Sequence, residues 1–175
     1  MITVSIVGAS GYGGGELLRL LLGHPEVRVQ QVTSERLAGK AVSRAHPNLR
    51  KVTDLKFSSM SDLKSCDVLC FGLPHGETMQ RCEELFELGG RIIDLSADFR
   101  LRNPADYPLW YGHEHTHPEL LDKFVYGLSE LHRDEIRDSK HVACTGCLAA
   151  TAILSLSPLM RAGVIDASRI FIEGK

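Results

Sequence analysis

The sequence lacks long apolar runs and any excess of positive charge. Its formal net charge is −2 at pH 7, so it has no basic footprint for nucleic acid. No run approaches the roughly 20 apolar residues of a membrane-spanning helix. The start, MITVSIVGASG, has neither the cationic region nor the cleavage site of a signal peptide. We therefore expect a cytoplasmic protein that binds neither nucleic acid nor membrane.

Cysteine is scarce, with five among 175 residues. Without an export signal, this odd number favours reduced thiols over a disulfide framework. Cys144 and Cys147 form the single C-x-x-C pair, whereas a zinc site needs about four ligands. Residues 113–117, HEHTH, could supply others, but they precede Pro118 and are typical of a loop with its histidines in solvent. We expect no metal, with a zinc-binding interaction domain as an alternative.

What the sequence does contain is an alternation of apolar, strand-like runs with amphipathic, helix-like ones. Apolar strands between helices indicate a parallel sheet covered on both faces, a doubly wound α/β fold of the Rossmann type. Ligands of such sheets bind beyond the carboxyl ends of the strands. The predicted strands are 3–8, 27–34, 67–74, 91–98, 140–144 and a final run 168–175; the predicted helices are 14–24, 59–65, 76–90 (closed by two glycines) and 146–163, with loop and short helix in 124–139.

A glycine-rich loop joins the first strand to the first helix. In VGASGYGGGELL, Gly8, Gly11 and Gly14 have G-x-x-G-x-x-G spacing. The first permits a sharp turn, the second lets a pyrophosphate approach the backbone, and the third lets helix and strand pack closely. Phosphates would bind free N–H groups at the helix N-terminus. This context predicts a dinucleotide site, with a tight turn in another α/β fold as the alternative.

The end of the second predicted strand bears on which dinucleotide binds. An NAD site usually has an acidic residue there, bonding the ribose 2′-hydroxyl. Here Ser34 is followed by Glu35 and Arg36. A hydroxyl and an arginine suit a 2′-phosphate, whereas Glu35 could serve either cofactor. We expect NADP(H).

Cys147 begins the last predicted helix, after Gly146. A helix N-terminus stabilises negative charge and so favours a thiolate nucleophile. A redox pair with Cys144 or simple burial of both thiols are alternatives. Beside a dinucleotide site, an activated cysteine indicates thioester chemistry: the thiolate attacks an activated acyl group, and a reduced nicotinamide converts the thioester to an aldehyde.

Several motifs together resemble the N-acetyl-γ-glutamyl-phosphate reductases of arginine biosynthesis. They are even more similar to the sister enzymes of lysine biosynthesis, which reduce an aminoadipyl phosphate held on an amino-group carrier protein. Around Cys147 the arginine enzymes usually have NPGCYPT, whereas this sequence has CTGCLAAT, which favours the lysine branch. The motifs are VGASGYGGGELLRLLLGHPEV, LPHG, IDLSADFRL, WYGHEH, VYGLSEL and GCLAATA.

The resemblance implies a role for individual residues. Cys147 would accept the acyl group, and NADP(H) would contact Ser10, Gly11, Tyr12, Gly13 and residues 34–36. The family's catalytic histidine matches none of the eight histidines here. The resemblance further implies a homotetramer and an acidic carrier protein as partner.

Five further residues are candidates for the site. Arg100 could bind an acyl phosphate or a substrate carboxylate, or form a salt bridge with Asp94 or Asp98. Ser96 could lie near the nicotinamide. His75 is expected to be structural or to line the cofactor, and residues 110–111 (Trp-Tyr) to line the substrate entrance or pack the loop.

We thus expect two regions and one principal function. Residues 1–145 would form the NADP-binding Rossmann domain, and 146–175 the start of a truncated α+β catalytic and dimerisation domain. The function would be NADPH-dependent reduction of a carrier-linked aminoadipyl phosphate. The arginine-pathway substrate is one alternative, and a nucleotide-binding module without catalysis is another.

Overall fold

The computed structural model describes residues 1–174 and contains one sheet with helices on both faces. The strands are β1 Ile2–Val7, β2 Val27–Val32, β3 Cys66–Phe71, β4 Gly89–Asp94, β5 Phe124–Gly127 and β6 His141–Cys144. The helices are α1 Tyr12–Leu22, α2 Thr78–Phe86, α3 Asp106–Tyr111, α4 Ser129–Asp138 and α5 Cys147–Arg161. No helix in the described part of the chain is both long and apolar enough to cross a bilayer.

The sheet is parallel, with strand order β2-β1-β3-β4-β6-β5. After β2 the chain crosses β1 to form β3 on its other side, so the connections diverge between β1 and β3. Such a switch point opens a crevice at the carboxyl ends of the strands. A second irregularity follows, because β6 inserts between β4 and β5. The predicted Rossmann-type α/β fold is confirmed.

Apolar residues fill both faces of the sheet, as their continuous runs predict. One cluster packs α1 against β1 and β2, with Leu18, Ile6 and Val32 fully buried. The other packs α2 and the aromatic loop segments against β3 and β4, around Phe71 and Leu85. This two-sided burial holds the sheet rigid and leaves the loops at its carboxyl edge to form sites.

Several sequence predictions about elements need correction. The four-residue strand β5 lies in a segment predicted as loop and short helix, and α3 was not predicted at all. Gly89 and Gly90 begin β4 instead of closing the preceding helix. Of the predicted last strand, the described residues 168–174 form a 3₁₀ turn and irregular chain. Ile170 and Ile172 of this segment line a cleft against α5; Lys175 lies outside the described residues.

The histidine segment also differs from its prediction. His115 is buried, with only 8% of its surface exposed. Its Nε2 lies 2.7 Å from the Asp98 carbonyl oxygen, and its Nδ1 accepts a bond from the His117 N–H. Its ring packs against Tyr107, 4.7 Å between centroids. Both ring nitrogens serve the fold, because the α3 segment folds back over the loop after β4.

Candidate active site

The glycine loop lies at the first switch point, where the loops after β1 and β3 meet. Gly8 has φ +77°, and a Cβ there would lie 2.6 Å from the Gly72 carbonyl oxygen. A Cβ on Gly14 would lie 2.7 Å from the Ala9 Cα. Both positions therefore require glycine for close backbone approach, as predicted. Gly13 is less restricted, with the Leu95 side chain 3.5 Å from its Cβ position.

Gly11 has a different reason to be glycine. It is the N-cap of α1, and no described side chain caps this helix. A Cβ on Gly11 would meet its nearest protein atom at 3.8 Å, so the fold itself leaves this space open. Uncapped N–H groups at a helix N-terminus bind anions. The loop therefore fits the pyrophosphate of a dinucleotide, with the exposed Tyr12 at its rim.

The end of β2 lies beside this loop. The Ser34 hydroxyl donates to the Ser10 hydroxyl at 2.8 Å, which ties the two loops together. Glu35 turns away: its carboxylate accepts a bond of 2.7 Å from the Met60 N–H. Arg36 is exposed and lines a cleft of about 480 Å³ together with Ser10, Gly11 and Tyr12. The Glu35 carboxylate is thus bonded to the neighbouring turn, and its contact with the cofactor stays a prediction.

A hydrogen-bonded turn follows β4. The buried Asp94 carboxylate accepts bonds from the N–H and hydroxyl of Ser96 and from the Thr78 hydroxyl. Burial raises the pKa of Asp94 to about 6, against the lowering effect of the Ser96 bonds. Asp98 accepts bonds from the N–H groups of Gly76 and Met79, at the start of α2. These carboxylates fix the loops after β3 and β4 to one another.

Ser96 and His75 have places in this same turn. Ser96 is 1% exposed and donates its hydroxyl to Asp94, so the structure gives it a buried, structural position. Its contact with the nicotinamide stays a prediction. The exposed His75 accepts a bond from the Ala97 N–H at Nδ1, 2.9 Å. A neutral His75 ring must then carry its proton on Nε2.

Arg100 connects the loop after β4 to the loop after β6. Its Nε donates to the Cys144 carbonyl at 2.7 Å, and its second nitrogen to the Leu95 carbonyl at 2.8 Å. Among the described residues it forms no salt bridge with Asp94 or Asp98, so that alternative is wrong. A Cβ on Gly146 would lie 3.2 Å from the guanidinium. Arg100 therefore stands against the turn that leads into α5.

The two cysteines of the C-x-x-C pair have different environments. Cys147 is exposed and is the first residue of α5, after its N-cap Gly146. Cys144 ends β6 and is half-buried. Burial raises the pKa of the Cys144 thiol to about 11, with a further contribution from the Asp94 charge and an opposing one from Arg100. At neutral pH Cys144 is a protonated strand residue, whereas Cys147 is accessible.

The two aromatic residues at the end of α3 also differ in exposure. Trp110 is 71% exposed, while Tyr111 is half-buried and packs beside Tyr107 and His75, with ring centroids 5.6 and 6.4 Å away. Tyr111 thus packs the loop. A contact of Trp110 with substrate stays a prediction.

Sequence reasoning missed three residues near the glycine loop. His46 bonds the Ala9 carbonyl oxygen, 2.7 Å from its Nε2. A Cβ on Gly15 would lie 2.2 Å from the His46 ring, which explains the third consecutive glycine of GYGGGE. Arg44 lines the same cleft as Arg36. Gly15 could have been found, because the three-glycine motif does not account for a glycine at this position. Arg44 and His46 lie about 30 residues beyond the loop, and no spacing in the sequence relates them to it.

Comparison with known proteins agrees with this geometry. A family model described as "Semialdehyde dehydrogenase, NAD binding domain" matches residues 3–139. Aspartate semialdehyde dehydrogenase with NADP from Candida albicans superposes with a TM-score of 0.62 at 17% identity, over 93% of this chain and 47% of that one. At this identity the likeness shows the fold alone.

Two relatives are more similar in sequence. A putative LysW-L-2-aminoadipate 6-phosphate reductase of Thermomicrobium roseum is 57% identical over 95% of this chain and 47% of its own length. An N-acetyl-gamma-glutamyl-phosphate reductase of Acinetobacter baylyi is 49% identical over 100% and 51%. These names confirm the resemblance predicted from the motifs, and the chain spans about half the length of the curated relatives it matches. From the match of the family model and these identities, the chain belongs to the semialdehyde dehydrogenase family and contains its NAD-binding domain.

Proposed function

We propose that the full-length polypeptide is an NADPH-dependent reductase of carrier-linked aminoadipyl phosphate in lysine biosynthesis. The observation that carries the proposal is the exposed Cys147 at the N-terminus of α5, on the same sheet edge as the glycine loop. The 57% identity to a protein named for this substrate supports the choice of acyl group.

The protein's part in the reaction begins with Cys147. Its thiolate attacks the acyl carbon, a C–S bond forms, and the C–O bond to phosphate breaks as phosphate leaves. When bound, a reduced nicotinamide would supply the hydride that adds to the thioester carbon. The resulting hemithioacetal loses the thiolate as its C–S bond breaks, and the semialdehyde leaves. Cys147 returns unchanged, and the helix N-terminus stabilises its negative charge at each release.

The cofactor proposal is NADP(H), held by the loop residues Gly8 to Gly14 and by residues 34–36. The open space over Gly11 and the uncapped α1 fit the pyrophosphate. Arg36 in the adjoining cleft suits a 2′-phosphate, and Glu35, bonded to the Met60 N–H, does not compete for a ribose hydroxyl. Substrate contact by Arg100 belongs to the same proposal, supported by its position beside Gly146.

The proposal extends to the organisation of the whole protein. Residues 1–145 form the nucleotide domain, and 146–175 begin the catalytic domain. The family match ends at residue 139, and α5 has no fully buried residue in the described chain, which supports this boundary. An acidic carrier protein as partner, a homo-oligomeric assembly and a cytoplasmic location complete the proposal.

A second candidate substrate is N-acetylglutamyl phosphate, favoured by the 49% identity to a reductase of that name over the entire chain. The test assays the full-length enzyme with both acyl phosphates, following NADPH oxidation. We expect higher kcat/KM for the carrier-linked substrate. A preference for the free acetylated one would assign the enzyme to arginine biosynthesis.

The nucleophile is tested by matched serine variants. We expect Cys147→Ser to lower kcat by at least about 10³-fold, whereas Cys144→Ser keeps kcat within about threefold. Both variants should still bind NADPH. If Cys147→Ser keeps full activity, the thioester route is wrong; if the wild-type enzyme binds NADPH and reduces neither substrate, the chain is a nucleotide-binding module.

A further inference from the structure

The cleft beside the glycine loop has a second arginine. Arg36 and Arg44 both line this space of about 480 Å³, with Ser10 and Gly11 between the loop and the arginines. Both arginines are exposed residues. Neither forms an ion pair with another described residue. Two uncompensated cations therefore border the end of the cleft where β2 stops.

The turn that carries Arg44 is fixed to the core on both sides. Val42 is fully buried, and its N–H donates to the Leu55 carbonyl. His46 bonds the Ala9 carbonyl oxygen in the glycine loop at 2.7 Å and lies over Gly15. Arg44 lies between these two anchors. The glycine loop and the base of Arg44 are thus parts of one rigid arrangement.

The acidic residue nearest in sequence does not neutralise this pair. The Glu35 carboxylate bonds the Met60 N–H and lies within 3.5 Å of the Ser59 hydroxyl. It is therefore held on the side of the β2 loop where residues 59–60 lie. A dianionic group that enters the cleft would therefore meet two arginines and no carboxylate among the residues that line it.

We propose that Arg44 is a second binding residue for the adenosine 2′-phosphate and helps determine the preference for NADPH over NADH. The inference deepens the proposed function and rests on it. Arginine supplies planar, charge-assisted hydrogen bonds to phosphate. NADH lacks that phosphate, so Arg44 would discriminate between the two cofactors without touching the reacting carbon.

The test measures dissociation constants of NADPH and NADH for the full-length polypeptide by nucleotide fluorescence. We expect Arg44→Ala to weaken NADPH binding about tenfold and to leave NADH binding within about twofold. Arg44→Lys keeps the charge without the fork and should lie in between. The matched control is Arg50→Ala: Arg50 is exposed and borders the adjoining cleft with Arg44, but not the cleft beside the glycine loop.

The probe 2′,5′-ADP contains only the adenosine end of the cofactor with its 2′-phosphate. Its dissociation constant should change in each variant by about the same factor as that of NADPH. If Arg44→Ala and Arg50→Ala shift the NADPH-to-NADH ratio equally, or Arg44→Ala weakens both cofactors alike, the inference is overturned while the proposed function stands. If the wild-type protein binds neither cofactor, the proposed function itself fails.

Discussion

Two pairs of loops meet at the carboxyl edge of the sheet, and they are held together by different kinds of contact. The loops after β1 and β3 approach through main-chain atoms, with Gly8 against Gly72. The loops after β4 and β6 are joined by a side chain, since Arg100 bonds a carbonyl 44 residues further along. The first pair leaves open space for a ligand, whereas the second fixes the turn of the chain that leads to Cys147.

The two loop pairs are sensitive to opposite kinds of substitution. A main-chain crevice depends on the absence of side chains, so an added methyl group damages it. A side-chain bridge depends on donors and acceptors, so truncation damages it.

The largest expected effect is a difference in alkylation rate between Cys144 and Cys147. With its pKa raised to about 11 by burial, Cys144 has about one thiolate per thousand molecules at pH 8, and the thiolate is the reactive form. Iodoacetamide at pH 8, followed by peptide mass spectrometry, should modify the exposed Cys147 at least about 100-fold faster. In urea the two rates should converge, and equal rates in the folded protein would contradict the asymmetry.

The next effect concerns the first loop pair. We expect Gly8→Ala to destabilise the fold by about 3 to 4 kcal/mol, because it forces a side chain into positive φ and against the Gly72 carbonyl. Urea unfolding measures this loss. The matched variant Gly11→Ala should lose less than about 1 kcal/mol, since its Cβ meets nothing within 3.8 Å, yet weaken nucleotide binding. Similar stability losses would show that both glycines serve packing alone.

The glycine loop and the position of Cys147 at the start of α5 could be predicted because their signals are local. Gly8, Gly11 and Gly14 lie within one strand–turn–helix unit, and Cys147 stands directly before an apolar helical run. Five of the six strands of the sheet were visible for the same reason, as short apolar runs between helices, whereas β5 was not. The predicted bounds of β4 were wrong at both ends, since β4 begins at Gly89 and stops at Asp94, where the hydrogen-bonded turn begins.

The rest depends on contacts between distant segments. Glu35 bonds a residue 25 positions away, and His46 one 37 positions away. The strand β5 has four residues, one of them glycine, and is paired on one side by β6. No periodicity reveals such elements, because tertiary pairing decides them.

The third effect is a pH dependence in the turn after β4. The folded protein holds a proton on Asp94 up to about pH 6, whereas an unfolded chain releases it near pH 4. Between these values the folded state binds more protons, so this contribution to stability is present below about pH 4 and is lost as pH rises through 6. Relative to Asp94→Asn, the wild type should lose about 2 to 3 kcal/mol between pH 4 and pH 7.

Urea unfolding at several pH values measures that loss. The control is Asp54→Asn, which replaces an exposed carboxylate and should leave the slope of the wild type unchanged. A wild-type curve parallel to that of Asp94→Asn would show that the Ser96 and Thr78 bonds offset burial and leave the pKa of Asp94 the same in the folded and unfolded states.

The smallest effect tests whether the hydrogen bonds of Arg100 position Cys147. Arg100→Ala leaves the Cys144 and Leu95 carbonyls without their donor, which should cost about 1 to 2 kcal/mol of stability. If Arg100 also positions Cys147, iodoacetamide should modify Cys147 at an altered rate in the native protein. Arg102→Ala removes an exposed arginine of the same segment and should change neither quantity. If Arg100 only bridges the two loops, removing its guanidinium should let the loop after β6 move and so change the stability or the reactivity of Cys147. A loss of substrate affinity with both of these quantities unchanged would instead place Arg100 in direct contact with the acyl phosphate.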